Sequence, residues 1–299
     1  MMKQDPVAWM DEDMVHIPGG RFRMGSEQYY PEERPLRMVE VSAFAIDRYP
    51  VTNAQFAQFI AATGYTTFAE RAHPHPAIAG RMVEPCSAVF TQPFPGTAVE
   101  GPQSWWKMVP GACWKHPTGQ GSSIEELGDH PVVHIAFEDA LAYAEWVGKT
   151  LPSEAEWEFA ARGGLDGKEF AWGDHLMPDG KHMAITWQGK FPFVNTFEDG
   201  FARTSPVGSF PANGYGLYDM IGNVWEWTSD EYRTGGQVPA KSCCRKSPKN
   251  AMKAKVIKGG SYLCAPNYCQ RYRPAARHAQ AIDTTAGHLG FRCVRRLLP

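Results

Sequence analysis

The chain has 299 residues, 43% of them hydrophobic, and a formal net charge of −2. That near-neutral balance gives no electrostatic reason to bind nucleic acid or a membrane surface, and no apolar stretch is long enough to span a bilayer. With no Ser/Gly linker, low-complexity run or charge block to divide it, one domain is expected over residues 14–299, behind a short N-terminal extension over residues 1–13.

The extension has no apolar run of signal-peptide length. Together with an odd count of seven cysteines, this leads us to expect a reduced, cytoplasmic setting. Glycine (29), proline (24) and tryptophan (10) are plentiful, which points to long ordered loops pinned by aromatic rings. The first regular element is a strand over Val39–Ile46. A helix then starts at Thr52, with Gln55 at the capping-box position, buries Phe56, Phe59 and Ile60, and stops at Gly64. A short β-like run, Val132–Ile135, precedes a second helix from Phe137 to Val147 that ends at Gly148. The third helix starts at Ser153, where Glu156 completes a capping box. Trp157 and Ala160 face its core, and Gly163-Gly164 ends it. A last strand covers Lys255–Lys258. Strands and helices do not alternate as βαβ units, so the expected class is α+β in a single loop-rich domain.

His130-Pro-Val-Val-His134 has i, i+4 spacing, but Pro131 and the two valines argue against a helix that would bring both rings together. His73 and His75 each precede proline and read as loop residues. No phosphate-binding glycine motif, Gly-x-Ser-x-Gly or His-Glu-x-x-His is present, which disfavours the common hydrolase and zincin chemistries.

The densest chemistry lies in Lys258-Gly-Gly-Ser261-Tyr-Leu-Cys264-Ala-Pro-Asn-Tyr268-Cys269-Gln-Arg271-Tyr-Arg273. Soft thiolates at short spacing select Cu(I), zinc or iron–sulfur clusters, or form a redox disulfide. Zinc and clusters want four protein ligands and no second suitable pair is evident, whereas two thiolates suffice for a linear Cu(I) site. An inert buried pair is the plain alternative. Ser261 and Tyr268 are placed to hydrogen-bond near the sulfurs, or simply to pack the loop. Arg271, Arg273 and Arg277 either line a groove or pair with buried carboxylates. Trp225 and Trp227 either wall the site or belong to the core, with core the expectation for at least one. The adjacent Cys243-Cys244 sits in a polar, basic loop, and Cys86 and Cys113 read as packed side chains.

The cysteine segment resembles the C-terminal core of the formylglycine-generating enzymes, the oxidases that mature sulfatases. The likeness continues through Arg273-Pro-Ala-Ala-Arg277 to Gly290-Phe-Arg-Cys293-Val. Upstream it includes Ile17-Pro-Gly-Gly-Arg-Phe-Arg-Met-Gly25, Tyr49–Phe56, Thr150–Glu158 and Asn213–Trp227, so it spans about Met14 to Arg295. The resemblance implies a fold related to C-type lectins. It also implies Cu(I) on Cys264 and Cys269; Ser261 and Tyr268 stand beside the pair as further catalytic candidates, and Arg271, Arg273 and Arg277 as candidates to line the substrate groove. The implied reaction converts the cysteine of Cys-x-Pro-x-Arg in an unfolded sulfatase to Cα-formylglycine, with O2 and a thiol reductant. A structural Ca2+ is implied at Asp219, Gly222, Val224 and Glu226, which combine carboxylates with loop carbonyls. A second Ca2+ would use Thr186, Asp199 and Phe201, but Ile185 stands where the family has asparagine, so that site is expected to be weakened or absent.

The upstream motifs are shared with non-catalytic relatives and iron-dependent sulfoxide synthases, and the cysteine pair is what separates them. The three-histidine domain of the sulfoxide synthases is absent. Ala144, Ala161 and Pro274 replace family cysteines and leave Cys293 without a partner, in keeping with a cytoplasmic setting. Two rival functions stay open: a lectin-like binding module, and a thiol–disulfide relay that runs without copper.

Overall fold

A computed structural model describes residues 13–75, 78, 80–233 and 253–296; Cys243-Cys244 and most of the N-terminal extension lie outside the described residues. The chain opens with strands β1 (Met14–Ile17), β2 (Gly20–Met24), β3 (Arg37–Val41) and β4 (Phe44–Asp47). Helix α1 (Asn53–Thr63) follows, then the hairpins β5 (His73–Pro74) with β6 (Met82–Val83) and β7 (Cys86–Phe90) with β8 (Trp106–Pro110). Helices α2 (Phe137–Trp146) and α3 (Glu154–Arg162) lead through long loops into β9 (Trp225–Glu231) and β10 (Ala254–Lys258). The chain then adds β11 (Arg277–Ala281), β12 (Leu289–Gly290) and β13 (Val294–Arg296).

The largest sheet has the order β11–β10–β9–β12, antiparallel except where β12 runs beside β9. A second sheet, β1–β4–β13, is wholly antiparallel and ties the two ends of the chain together. The class is α+β, as expected.

Local sequence explains the helices. Thr52 Oγ1 accepts the N–H of Gln55 at 3.3 Å, and the Gln55 side chain accepts the N–H of Thr52 at 2.9 Å; Gly64, at φ +66°, closes the helix. In α3 the same box joins Ser153 and Glu156, at 3.1 and 2.6 Å, and Gly163 at φ +56° is the stop. Trp157 and Ala160 are wholly buried, as the spacing requires.

The carboxylates of α3 are buried as well, which periodicity does not foresee. Glu158 lies 3.0 Å from Lys258 and 2.7 Å from Arg162, and Glu156 pairs with Arg296. Buried charges are tolerated only when paired this closely.

Two expected strands differ from the structure. Val39–Ile46 is broken into β3 and β4 because the two halves pair with different partners, β3 with β2 and β4 with β1 and β13. The bend packs on Gly19, where a Cβ would sit 2.6 Å from the Val41 carbonyl oxygen. Val132–Ile135 is buried but forms no strand, since His134 adopts φ +63°, which no β-ladder accommodates. His130 bonds Thr204 while His134 bonds Ser87 and Pro117, so the two rings serve different contacts.

The main core gathers Phe56, Phe59, Trp114, Tyr143 and Phe291 around the base of the large sheet. Phe56 alone meets Phe59, Trp114, Tyr143 and Phe291 at ring separations of 5.4 to 6.4 Å. Within β9, Trp227 is wholly buried and donates its indole N–H to the Ile135 carbonyl at 2.8 Å. Trp225, two residues earlier, turns its ring into the cavity described below.

Candidate active site

The large sheet delivers the site. Beyond β10 the chain reaches Gly259 and Gly260, at φ +93° and +74°. A Cβ on Gly260 would lie 2.9 Å from the Arg271 carbonyl oxygen and 3.1 Å from Tyr272 Cα. The double glycine is therefore what lets the loop fold back on itself. Inside the loop, Cys264 N–H donates to the Ser261 carbonyl and Cys269 N–H to the Ala265 carbonyl, both at 2.9 Å.

These turns bring the two sulfurs to 3.3 Å. Ser261 N–H approaches Cys264 Sγ at 3.4 Å, and Arg271 Nη1 stands 3.9 Å from Cys269 Sγ. The two thiols differ electrostatically. The Cys264 thiol donates to Cys269 and, with the backbone N–H and guanidinium of Arg271, draws Cys269 down to about 6. Burial first, then the neighbouring Cys269 charge, pushes Cys264 well above an ordinary thiol. Of the pair, Cys269 is therefore the thiol more readily ionised.

Arg271 is fixed in turn by Glu32, with Nε 3.2 Å from Oε1, and by the Tyr30 ring, 3.8 Å from the guanidinium carbon. The other two arginines sit differently. Arg273 is buried against Glu33, and Arg277 lies 2.7 Å from Glu154. Of the three, Arg271 is the one that borders the cavity.

The cavity above the sulfurs encloses about 290 Å³. Its walls are Trp105, Trp106, Trp225, Phe191 and Tyr268, with His278 and His288 as polar edges. Tyr268 contributes through its ring, stacked on Phe191 at 4.4 Å and edge-on to Trp105 at 5.5 Å. Asn267 clamps Phe191 by bonding both its N–H and its carbonyl. Ser261 is wholly buried, its Oγ 3.3 Å from His288 Nδ1.

Trp105, Trp106, Phe191 and His288 went unmarked in the sequence. The first three carry no motif of their own. His288 stands two residues before Gly290-Phe-Arg-Cys293, close enough to have been noticed.

The donor set bears on which ion fits. Among the described residues no group of three or more His, Cys, Asp or Glu side chains gathers as a metal cluster, so the sulfur pair stands alone. Two soft sulfurs suit Cu(I), whereas zinc takes three or four protein ligands.

The oxygen-rich loop fits Ca2+. Asp219 is half-buried, its partners among the described residues being the N–H of Gly208 (2.7 Å) and the Asn223 amide (3.3 Å), and burial raises its pKa. A cation would relieve that burial. Glu226 is partly committed: Arg292 grips both oxygens at 2.8 Å and Trp157 donates to Oε2 at 2.7 Å, which leaves acceptor capacity on Oε1. Gly222, at φ +77°, has no Cβ to block the Ile185 carbonyl.

The second oxygen set does not fit a cation. Asp199 accepts the N–H groups of Thr186 and Phe201 and the Gln188 amide. Ile185 is 1% exposed in an apolar cluster with Trp187 and Phe191.

The sequence matches a family model described as "Sulfatase-modifying factor enzyme 1-like domain" over residues 1–297. A Mycobacterium tuberculosis protein named formylglycine-generating enzyme is 50% identical over 291 residues, covering 94% of this chain and 97% of that protein. A mouse protein named inactive C-alpha-formylglycine-generating enzyme 2 is 40% identical, covering 95% of this chain and 85% of its own. Among solved structures, PvdO from Pseudomonas aeruginosa superposes with a TM-score of 0.62 at 26% identity, covering 95% of this chain and 94% of that one. With the family model spanning almost the whole chain and half of all aligned positions identical to a full-length relative, this chain belongs to the formylglycine-generating enzyme family.

Proposed function

We propose that this chain is a copper-dependent oxidase that converts the cysteine of a Cys-x-Pro-x-Arg motif in an unfolded sulfatase to Cα-formylglycine. Family membership alone does not carry this, since a relative 40% identical is named inactive. The observation that carries it is the pair of unequal thiols, 3.3 Å apart, at the floor of an aromatic cavity.

Bound there, Cu(I) would supply the one-electron chemistry that O2 needs to react with a closed-shell thiol. The protein's own part is arrangement. Arg271 and the Cys264 thiol stabilise a thiolate on Cys269, ready for a soft cation, while the Ser261 N–H steadies Cys264. Tryptophan and phenylalanine walls exclude water from the reacting carbon and admit a narrow, extended segment. That shape suits an unfolded partner better than a folded one. O2 takes four electrons and oxidation of the cysteine yields two, so an external thiol gives the rest. The products are the aldehyde, hydrogen sulfide, water and one disulfide. In this reading a reducing cytoplasm supplies that thiol; no helix among the described residues is long and apolar enough to cross a membrane. Asp219, Gly222, Val224 and Glu226 hold Ca2+ as a structural ion in this reading, and no ion is assigned to Thr186, Asp199 and Phe201.

The test is mass spectrometry of a Leu-Cys-x-Pro-Ser-Arg peptide incubated with protein, O2 and thiol, with and without Cu(I). Conversion of cysteine to aldehyde that needs copper and is lost in Cys264→Ser and Cys269→Ser is the expected result. No conversion by a protein shown to hold one copper would refute the proposal. Copper-independent disulfide exchange would replace it with a dithiol relay.

A further inference from the structure

The Ser261 side chain is wholly enclosed, so its hydroxyl proton needs an acceptor inside the protein. Its oxygen already accepts the Leu263 N–H at 3.3 Å, and the ring nitrogen facing it is His288 Nδ1 at the same distance. Burial holds His288 neutral, down to about 3, with the nearby histidines His278 and His134 lowering it further. A neutral imidazole that accepts at Nδ1 carries its one proton on Nε2.

The ring is held in place by its surroundings. The His288 carbonyl accepts the Trp225 N–H at 2.8 Å, Gly287 N–H donates to Ala88, and the imidazole packs edge-on against Trp106 at 4.6 Å. His288 is half-buried and borders the cavity, and no partner for Nε2 is found among the described residues. Two longer donors at that rim are engaged elsewhere, Arg271 with Glu32 and the Gln280 amide with Thr284 at 2.8 Å.

We propose that His288 is a substrate-binding residue whose Nε2–H donates to a backbone carbonyl of the extended peptide beside its target cysteine, with Ser261 as the positioning residue that fixes this tautomer. The idea deepens the peptide-oxidase reading and rests on it. Ser261 then acts on the peptide through His288, since its own side chain has no exposed surface. An imidazole this weakly basic is unsuited to remove the substrate's proton, so its contribution is orientation.

Two measurements on metal-free protein test the proposal without relying on turnover. In ¹⁵N-histidine NMR at neutral pH, His288 should show the Nε2–H tautomer, and Ser261→Ala should mix the tautomers. Fluorescence anisotropy of a labelled Leu-Cys-x-Pro-Ser-Arg peptide should show about tenfold weaker binding for His288→Leu, the worth of one hydrogen bond. His288→Gln, which keeps an N–H at that reach, should bind close to the unmodified protein and also controls for misfolding. An Nδ1–H tautomer, or equal binding by His288→Leu and the unmodified protein, or equally weak binding by the Leu and Gln variants, overturns it. If copper-loaded protein fails to convert the peptide while the tautomer and binding results hold, the oxidase reading fails and the His288 contact stands.

Discussion

Replacing His134 with asparagine and unfolding both proteins in denaturant at about pH 7 and about pH 5 isolates one buried contact. His134 is fully enclosed; its Nδ1 lies 2.6 Å from Ser87 Oγ and its Nε2 lies 2.9 Å from the Pro117 carbonyl. The carbonyl can only accept, so Nε2 carries the proton and Nδ1 accepts from Ser87. A second proton on Nδ1 would face the serine oxygen without solvent, and desolvation keeps the imidazole neutral down to about 4. An unfolded chain protonates it near 6.5. Below 6.5 the unfolded state therefore binds more protons, and stability falls as pH drops towards 4. The contribution is about 1.4 kcal/mol per pH unit inside that window, hence about 2 kcal/mol between pH 7 and pH 5.

Asparagine tolerates the φ of +63° better than most residues and does not titrate. His134→Asn should lower stability at pH 7 by about 1–3 kcal/mol through the unpaired Ser87 and Pro117 groups. The deficit should then shrink by about 2 kcal/mol at pH 5. Paired carboxylates such as Glu158, and Asp139, raised by burial to about 6 with the opposite pH sign, act in both proteins and cancel in the difference. A deficit of the same size at both pH values would refute the argument.

Arg273→Ala leaves Glu33 buried without its partner and should cost about 3–5 kcal/mol by denaturant titration, while removing both charges by Glu33→Leu with Arg273→Met should recover most of that loss. Gly260→Ala demands a positive φ of a residue with a Cβ and drives that carbon to 2.9 Å from a carbonyl, so about 1–3 kcal/mol of stability should go, and the number of Cu(I) ions bound per chain should fall below one in a chelator competition. Adding Ca2+ at a hundred times its dissociation constant should raise stability by about 2.7 kcal/mol in thermal melts, and Asp219→Asn should abolish the increment. An increment that survives in Asp219→Asn would move the ion to another site.

Local signals were legible and non-local ones were not. Capping boxes at Thr52 and Ser153 and the glycine stops lie within a few residues of one another, so the sequence states them directly. The break between β3 and β4 depends on strands at both ends of the chain, which no window of residues contains. Trp225 and Trp227 could be separated only once β9 was known to keep both on one face yet pair them differently, one beside β12 and one beside β10. The arginine cluster read ambiguously because its carboxylates lie far off in sequence, Glu32 and Glu33 some 240 positions away and Glu154 123 away. The cysteine pair was legible because only four residues separate its members. Its aromatic roof was not, since Trp105 and Phe191 come from hairpins and loops with no pattern of their own.

The ion pairs of Glu32 and Glu33 with Arg271 and Arg273 also tie the cysteine loop to a segment near the other end of the chain. The two carboxylates leave the ribosome early and wait while some 240 residues follow, since the arginines that answer them are separated from them by that span. Arg271 cannot be held beside Cys269 until those partners meet, and so long a closure is slow. Arg271 stands beside Cys269 only while Glu32 holds it there, so the inequality of the two thiols is a property of the folded chain and not of the loop sequence alone.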